Sequence, residues 1–174
     1  MKQNPQYIEI EVDKLTNSIE NVITGDSFQT DVTLIDKSDL KTITKKNGWL
    51  FNWANEFKQP DRDIYKITIT GNPGIIQGLV SITEREDHVY IHLIESAPFN
   101  LGRNKVYLGV PGNLFAFVCR ISFHRGFDGY VSFTSKTQLI EHYEMTIGAK
   151  NIGGQLMVIT TDAALKLIDK YFKT

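Results

Sequence analysis

The strongest constraint on this chain is the change of hydrophobic period between His88 and Ile121. His88-Val89-Tyr90-Ile91-His92-Leu93-Ile94-Glu95 is an apolar run of strand length and reads as a buried strand. Leu114-Phe115-Ala116-Phe117-Val118-Cys119-Arg120-Ile121 reads as a helix, with apolar residues at 114, 117, 118 and 121 on one face. Between them lies the glycine-flanked turn Leu108-Gly109-Val110-Pro111-Gly112-Asn113-Leu114. A turn opening such a helix leaves several backbone N–H groups without intrahelical partners, beside the positive end of the helix dipole. The spacing therefore predicts a place for an anion, most often a phosphate. For the glycines, the alternative reading is a plain strand-to-helix turn.

The rest of the chain reads as support for that junction. Ile8, Ile10 and Val12 alternate with Glu9 and Glu11 as a short half-buried strand, and Leu15, Ile19, Val22 and Ile23 shift to helical spacing that stops at Gly25. Val32 to Ile35 predicts a strand, followed by a polar helix capped by Ser38 or Asp39. Leu50, Trp53, Ala54 and Phe57 again show helical spacing, ended by Pro60. Trp49, Phe51 and Trp53 either pack that helix on the sheet or wall an acceptor pocket. Strands at 64–70, 75–83 and 88–95, joined by turns of a few residues, form an antiparallel meander. After the helix comes the strand Tyr130 to Phe133, which the crossover rule places parallel to the third meander strand. Leu139, Ile140, Tyr143 and Ile147 mark a second amphipathic helix closed by Gly148, and a strand at 156–159 and a helix at 163–172 follow. The pattern has no repeat, low-complexity tract or linker: one mixed-sheet α/β domain over residues 1–174.

Charged residues make up 22% and nearly cancel to a net charge of −1, without a Lys/Arg cluster, so no nucleic-acid partner is expected. No apolar run approaches the ~20 residues of a membrane span, and Met1 to Gln6 has no apolar leader, which makes a cytoplasmic protein the expectation. The one cysteine, Cys119, rules out an internal disulfide framework and reads as a small buried thiol. Neither G-x-G-x-x-G nor G-x-x-x-x-G-K-[ST] occurs. His88 and His92 are ~13 Å apart on a strand and cannot share a metal, and Cys119, His124 and His142 form no recognisable ligand set. No metal is expected.

The order of meander, glycine turn, helix, strand and tyrosine-bearing helix resembles the GNAT superfamily of acetyl-CoA-dependent N-acetyltransferases, over about Ile64 to Ala149. Three patches carry the resemblance. Ile94-Glu95-Ser96-Ala97-Pro98-Phe99-Asn100 looks like the end of the family's splayed central strand, with the Glu-x-x-Pro-x-Asn pattern of one subgroup. Gly109-Val110-Pro111-Gly112-Asn113-Leu114 resembles the pyrophosphate loop, and Leu139 to Ala149 resembles the helix in which a tyrosine precedes a near-terminal glycine. Two positions depart from the pattern: Val106 stands at the Q/R place and Pro111 at the second Gly/Ala place, and proline has no N–H to give a phosphate.

The resemblance implies an α/β fold with a mixed, mostly antiparallel sheet of six to seven strands flanked by helices and a V-shaped split between the central strands. It implies an acceptor-side part at 1–60, a cofactor-binding core at 64–149, and a C-terminal strand and helix at 155–172. The cofactor would be acetyl-CoA. Its pantetheine would lie against Leu93, Ile94 and Glu95, and its diphosphate against the amides of Gly109, Val110, Gly112 and Asn113, with Arg103 and Lys105 adding charge. The reaction would be direct transfer of an acetyl group to a primary amine of a small molecule or peptide. Tyr143 would be the general acid toward the departing thiolate, or else an ordinary core tyrosine. Glu95 would be the base that deprotonates the amine, or else a holder of neighbouring groups; Glu84 and Glu86 are weaker choices, and His92 reads as a satisfied sheet histidine. Val106 and Pro111 favour the alternative, a non-catalytic module of the same fold that binds a protein partner. The reading leaves room for a homodimer.

Overall fold

The computed structural model describes residues 6–16 and 18–172, so most of the Met1 to Gln6 stretch read for a leader lies outside it. The main sheet grows from the meander. Strand β4 (Asp63–Ile69) pairs antiparallel with β5 (Gly78–Glu84), and β5 pairs antiparallel with β6 (Val89–Ser96). β3 (Thr30–Leu34) adds to the outer edge of β4. On the other side β6 meets β8 (Val131–Thr134), then β10 (Leu156–Ile159) and β9 (Lys150–Gly153). This gives a seven-stranded sheet, order β3-β4-β5-β6-β8-β10-β9, in which only β6 and β8 run parallel. That parallel pair is the one the crossover rule predicts.

Helix α2 (Val110–His124) forms the crossover between β6 and β8. It is buried on nearly every side, because α4 (Thr161–Phe172) covers the flank that the sheet does not. Phe115, Phe133 and Tyr143 meet edge-on or tilted at centroid distances of 5.2–6.0 Å. They tie α2 and β8 to α3 (Ile140–Ile147), whose end is capped by left-handed Gly148 as expected. On the opposite face Trp53 and Trp49 pack with Ile64, Leu79 and Leu93, which settles those tryptophans as core.

Two local expectations give way to pairing partners far along the chain. The helical spacing of Leu15 to Ile23 yields instead the strand β1 (Ile19–Asn21). It sits between β2 (Ser27–Phe28) and β7 (Tyr107–Leu108) in a small second sheet. The polar helix after Ser38 contracts to a 3₁₀ turn at Asp39–Lys41. Helix α1 (Trp53–Phe57) is capped by the Asn52 side chain, and it buries Trp53 and Glu56 rather than the expected Ala54 and Phe57.

Candidate active site

The site begins with a break in register. Ser81 faces Leu93 and Ile82 faces Ile91, so His92 is an extra residue in β6, a β-bulge. A bulge bends its strand and sharpens its twist. β6 pairs with β8 only through Val89, Tyr90 and Ile91; beyond the bulge it follows β5 alone. The central strands therefore part just past Ile91, before the Leu93 to Glu95 stretch that the resemblance puts beside the split.

The cleft so formed is filled in large part by the chain's own N-terminal arm. Ile8 donates to the Thr134 carbonyl (2.6 Å) and accepts from Lys136 N–H (3.1 Å), taking the edge of β8 that β6 has left. The Ile10 carbonyl accepts the Tyr143 hydroxyl at 2.6 Å, and Val12 N–H donates to His142 Nε2 at 2.7 Å. Asp13 Oδ1 accepts from Gly109 N–H at 3.0 Å, while Oδ2 lies 3.6 Å from Lys105 Nζ. Tyr171 of α4 donates to the Lys14 carbonyl at 2.9 Å. Ile8, Ile10 and Val12 are all buried while Glu9 and Glu11 are not, the alternation expected of a half-buried strand, although only Ile8 forms a β-bridge, with Ser135. A cavity of about 220 Å³ remains between the arm and the free end of β6, bordered by Ile94, Glu95, Phe51, Lys105 and Pro111.

The glycine loop opens α2 as its sequence suggests, and two of its amides, those of Gly109 and Asn113, are taken within the chain. Gly109 is the N-cap at φ 90°, a left-handed conformation that favours glycine, and a Cβ there would run into Thr16 and the Ser18 carbonyl. Its N–H already holds an anionic oxygen, that of Asp13. Val110 is fully buried. A Cβ on Gly112 would collide with the Tyr171 ring and hydroxyl, so that face of the loop is covered too. Asn113 departs from the expectation outright: its N–H donates to the Gly109 carbonyl at 3.0 Å and closes the first helical turn. Its side-chain amide reaches Thr30 Oγ1 at 3.3 Å. Arg103 lies in the exposed stretch before Lys105. Ile94 faces the α2 side of the sheet, and Leu93 faces Trp53.

Glu95 is a holder of the neighbouring chain. Its buried carboxylate accepts from Leu50 N–H (2.7 Å), Phe51 N–H (3.3 Å) and Trp53 Nε1 (2.8 Å), which fixes the loop leading into α1. All three contacts go to the loop that it braces, which weighs against its role as base. Asn100, at the other end of the same motif, bridges Gln77 and Tyr107 N–H in the same bracing manner. Tyr143 is fully buried. Burial, and then the Glu9 and Glu11 carboxylates, raise its pKa above the usual phenol value, so it keeps its proton at neutral pH.

Sequence reasoning did not single out Glu56, His142 or Asp13. Glu56 is buried and accepts from Ser81 Oγ (2.7 Å) and Arg62 Nε (3.0 Å), at a polar cavity bordered also by Arg85, Tyr90 and His92. There Thr83 gives its hydroxyl proton to the Asp61 carbonyl, so the 2.7 Å contact to His92 requires Nε2–H to be the donor. Burial, reinforced by Arg62 and Arg85, lowers the His92 pKa to about 4. Among the described residues no cluster of histidine, cysteine and carboxylate groups could hold a metal, and no helix is long and apolar enough to cross a membrane.

No protein-family model matches the chain, and no curated protein matches it by sequence. Solved structures do match by shape. The spermidine/spermine N-acetyltransferase SpeG of Vibrio cholerae, in two mutant forms, superposes with a TM-score of 0.57 at 14% identity, over 79% of this chain and 98% of that one. The ribosomal-protein-S18-alanine N-acetyltransferase of Escherichia coli gives 0.51 at 12% identity, over 75% and 91%. This is the GNAT fold. FeeM, an N-acyl amino acid synthase from uncultured soil microbes, gives 0.50 at 10% identity over 81% and 96%. At such identities the likeness extends to the GNAT fold and not to substrate.

The GNAT fold implies an acetyl-CoA site in the split, and the residues there fit it only in kind. Gly109 N–H and Lys105 are anion donors, and they already serve a carboxylate. The space beside β6 is below the ~300–1,000 Å³ usual for a small-molecule site. With the arm in place, the whole cofactor does not fit.

Proposed function

We propose that this chain is an N-acetyltransferase of primary amines that uses acetyl-CoA and is held here in a closed state. The observation that supports this reading is the parting of β6 from β8 at the His92 bulge, directly facing the Gly109 end of α2. When bound, acetyl-CoA would supply the acyl thioester. Gly109 and Lys105 would hold its diphosphate, with Arg103 nearby, and the free backbone edge at Leu93 to Glu95 would align its arm. Tyr143 carries the proton that a leaving thiolate needs, but burial makes it a weaker acid than a free phenol. Reaching that role requires its hydroxyl to leave the Ile10 carbonyl. Glu95 is a positioning residue in this reading, holding the loop at Leu50 and Phe51 that borders the cleft.

A second reading, a non-catalytic module of the same fold, draws support from the burial of Ile8, Ile10 and Val12, which join the main core. Incubation with acetyl-CoA and a panel of polyamines, aminoglycosides and peptides, with release of free thiol as the readout, separates the two. Acetylation that falls sharply in Tyr143→Phe supports the transferase. Coenzyme A binding with no acetylated amine across the panel favours the module.

A further inference from the structure

We infer that Ile8–Asp13 is a built-in competitor for the cofactor cleft, with the Asp13 carboxylate standing in for a diphosphate oxygen at the mouth of α2. The inference deepens the proposed function and rests on it for the identity of the ligand displaced. Its support lies in where the arm's contacts fall. Within six residues the arm takes the vacated edge of β8 at Thr134, the hydroxyl of Tyr143, the ring of His142, the amide of Gly109 and the ammonium of Lys105. A segment serving only as core filler would bury its isoleucines, and nothing would require an acidic side chain against the Gly109 N–H at the helix mouth. A helix N-terminus favours any anion, and a carboxylate and a phosphate oxygen meet the same N–H in the same way.

The closed arrangement also carries a defect. Thr16 Oγ1 is buried against Gly109 and has no hydrogen-bond partner, and Asn113 Oδ1, one turn into α2, has none either. Buried polar atoms left unpaired weigh against the state that contains them. The anion site is therefore complete in the folded protein, and its resident is covalently attached. A ligand gains it by exchange, so its apparent affinity is the intrinsic one multiplied by the fraction of molecules with the arm open.

The test uses the whole protein with coenzyme A as probe. Hydrogen exchange is followed at the amides of Ile8 and Val12, with Tyr65 and Ile67 in β4 as an internal reference. Saturating coenzyme A is expected to speed exchange at Ile8 and Val12 at least about tenfold while β4 is unchanged. Titration calorimetry is expected to show Asp13→Ser binding coenzyme A roughly tenfold to a hundredfold more tightly than wild type, the factor for removing one charge-assisted competitor bond. Coenzyme A bound with Ile8 and Val12 still protected overturns the inference, even if Asp13→Ser fails to fold. Equal affinity in both proteins overturns it, and so does binding to neither. If coenzyme A binds and frees the arm but no amine is acetylated, the transferase reading fails and the inference stands.

Discussion

Replacing Glu95 with glutamine separates a structural carboxylate from a catalytic one. In the native protein Oε2 receives Leu50 N–H at 2.7 Å, and Oε1 receives Phe51 N–H at 3.3 Å and Trp53 Nε1 at 2.8 Å. Glutamine keeps one oxygen. Placed at Oε1, it retains Phe51 and Trp53 but turns an NH₂ group toward the Leu50 N–H, setting donor against donor. One charge-assisted bond is lost, at about 1.5–3 kcal/mol, and a partly buried amide is left unpaired, so a total near 2–4 kcal/mol is expected. For a chain of this length that corresponds to a fall in Tm of roughly 5–15 °C. Glu95→Ala removes all three acceptor contacts and should cost more. Urea unfolding followed by tryptophan fluorescence reads the effect directly, because Trp53 is itself one of the donors. A change within about 0.5 kcal/mol in Glu95→Gln would refute the bracing role, and if acetyl transfer were lost at the same time it would restore Glu95 as the base.

Three further outcomes follow from the buried groups. His92 has a folded pKa of about 4, below its ordinary 6.5, so its contribution is fully present above pH 6.5 and is lost as pH falls through about 4. His92→Gln should flatten the acid limb of the stability profile in that window, and a limb of unchanged slope counts against the assignment. Gly112→Ala drives a methyl into the Tyr171 hydroxyl and should destabilise by about 1–3 kcal/mol, in part recovered when combined with Tyr171→Phe. Additive losses in the double variant by chemical denaturation would contradict that contact. Cys119 is fully buried and burial raises its thiol pKa, so its labelling by a thiol reagent at pH 8 should keep pace with global unfolding. Labelling much faster than unfolding would show a looser α2 than the packing allows.

The parts of the fold legible in the sequence are those set by neighbours in the chain. The meander strands alternate and turn within a few residues, and Gly148 ends α3 where the spacing says it should. The stretch around Ile19 fails for the opposite reason. Its spacing suits a helix, but Ile19 and Glu20 meet Phe28 and Ser27, and Glu20 and Asn21 meet Leu108 and Tyr107, so a partner almost ninety residues away decides its conformation. Helix α1 misleads in a related way. Glu56 is buried because Ser81 and Arg62 supply it with donors, and nothing within five residues of Glu56 announces them.

The same distinction runs through the site. A helix mouth states the sign of its guest and not its source: Gly109 has an N–H to satisfy, and the sequence shows that need within a single turn. The partner is Asp13, 96 positions earlier, in a stretch whose alternation with Glu9 and Glu11 resembles any half-buried strand. Tyr143 and Ile10 are separated by 133 positions and are joined only when the sheet has split beside β8. Local spacing thus locates the demand for an anion, while tertiary structure decides whether it is met from within. If the arm is a competitor rather than a plug, changes along Ile8–Asp13 should shift ligand affinity without touching any residue of the loop. Changes in the loop alone should alter affinity and arm release together, because one donor serves both occupants.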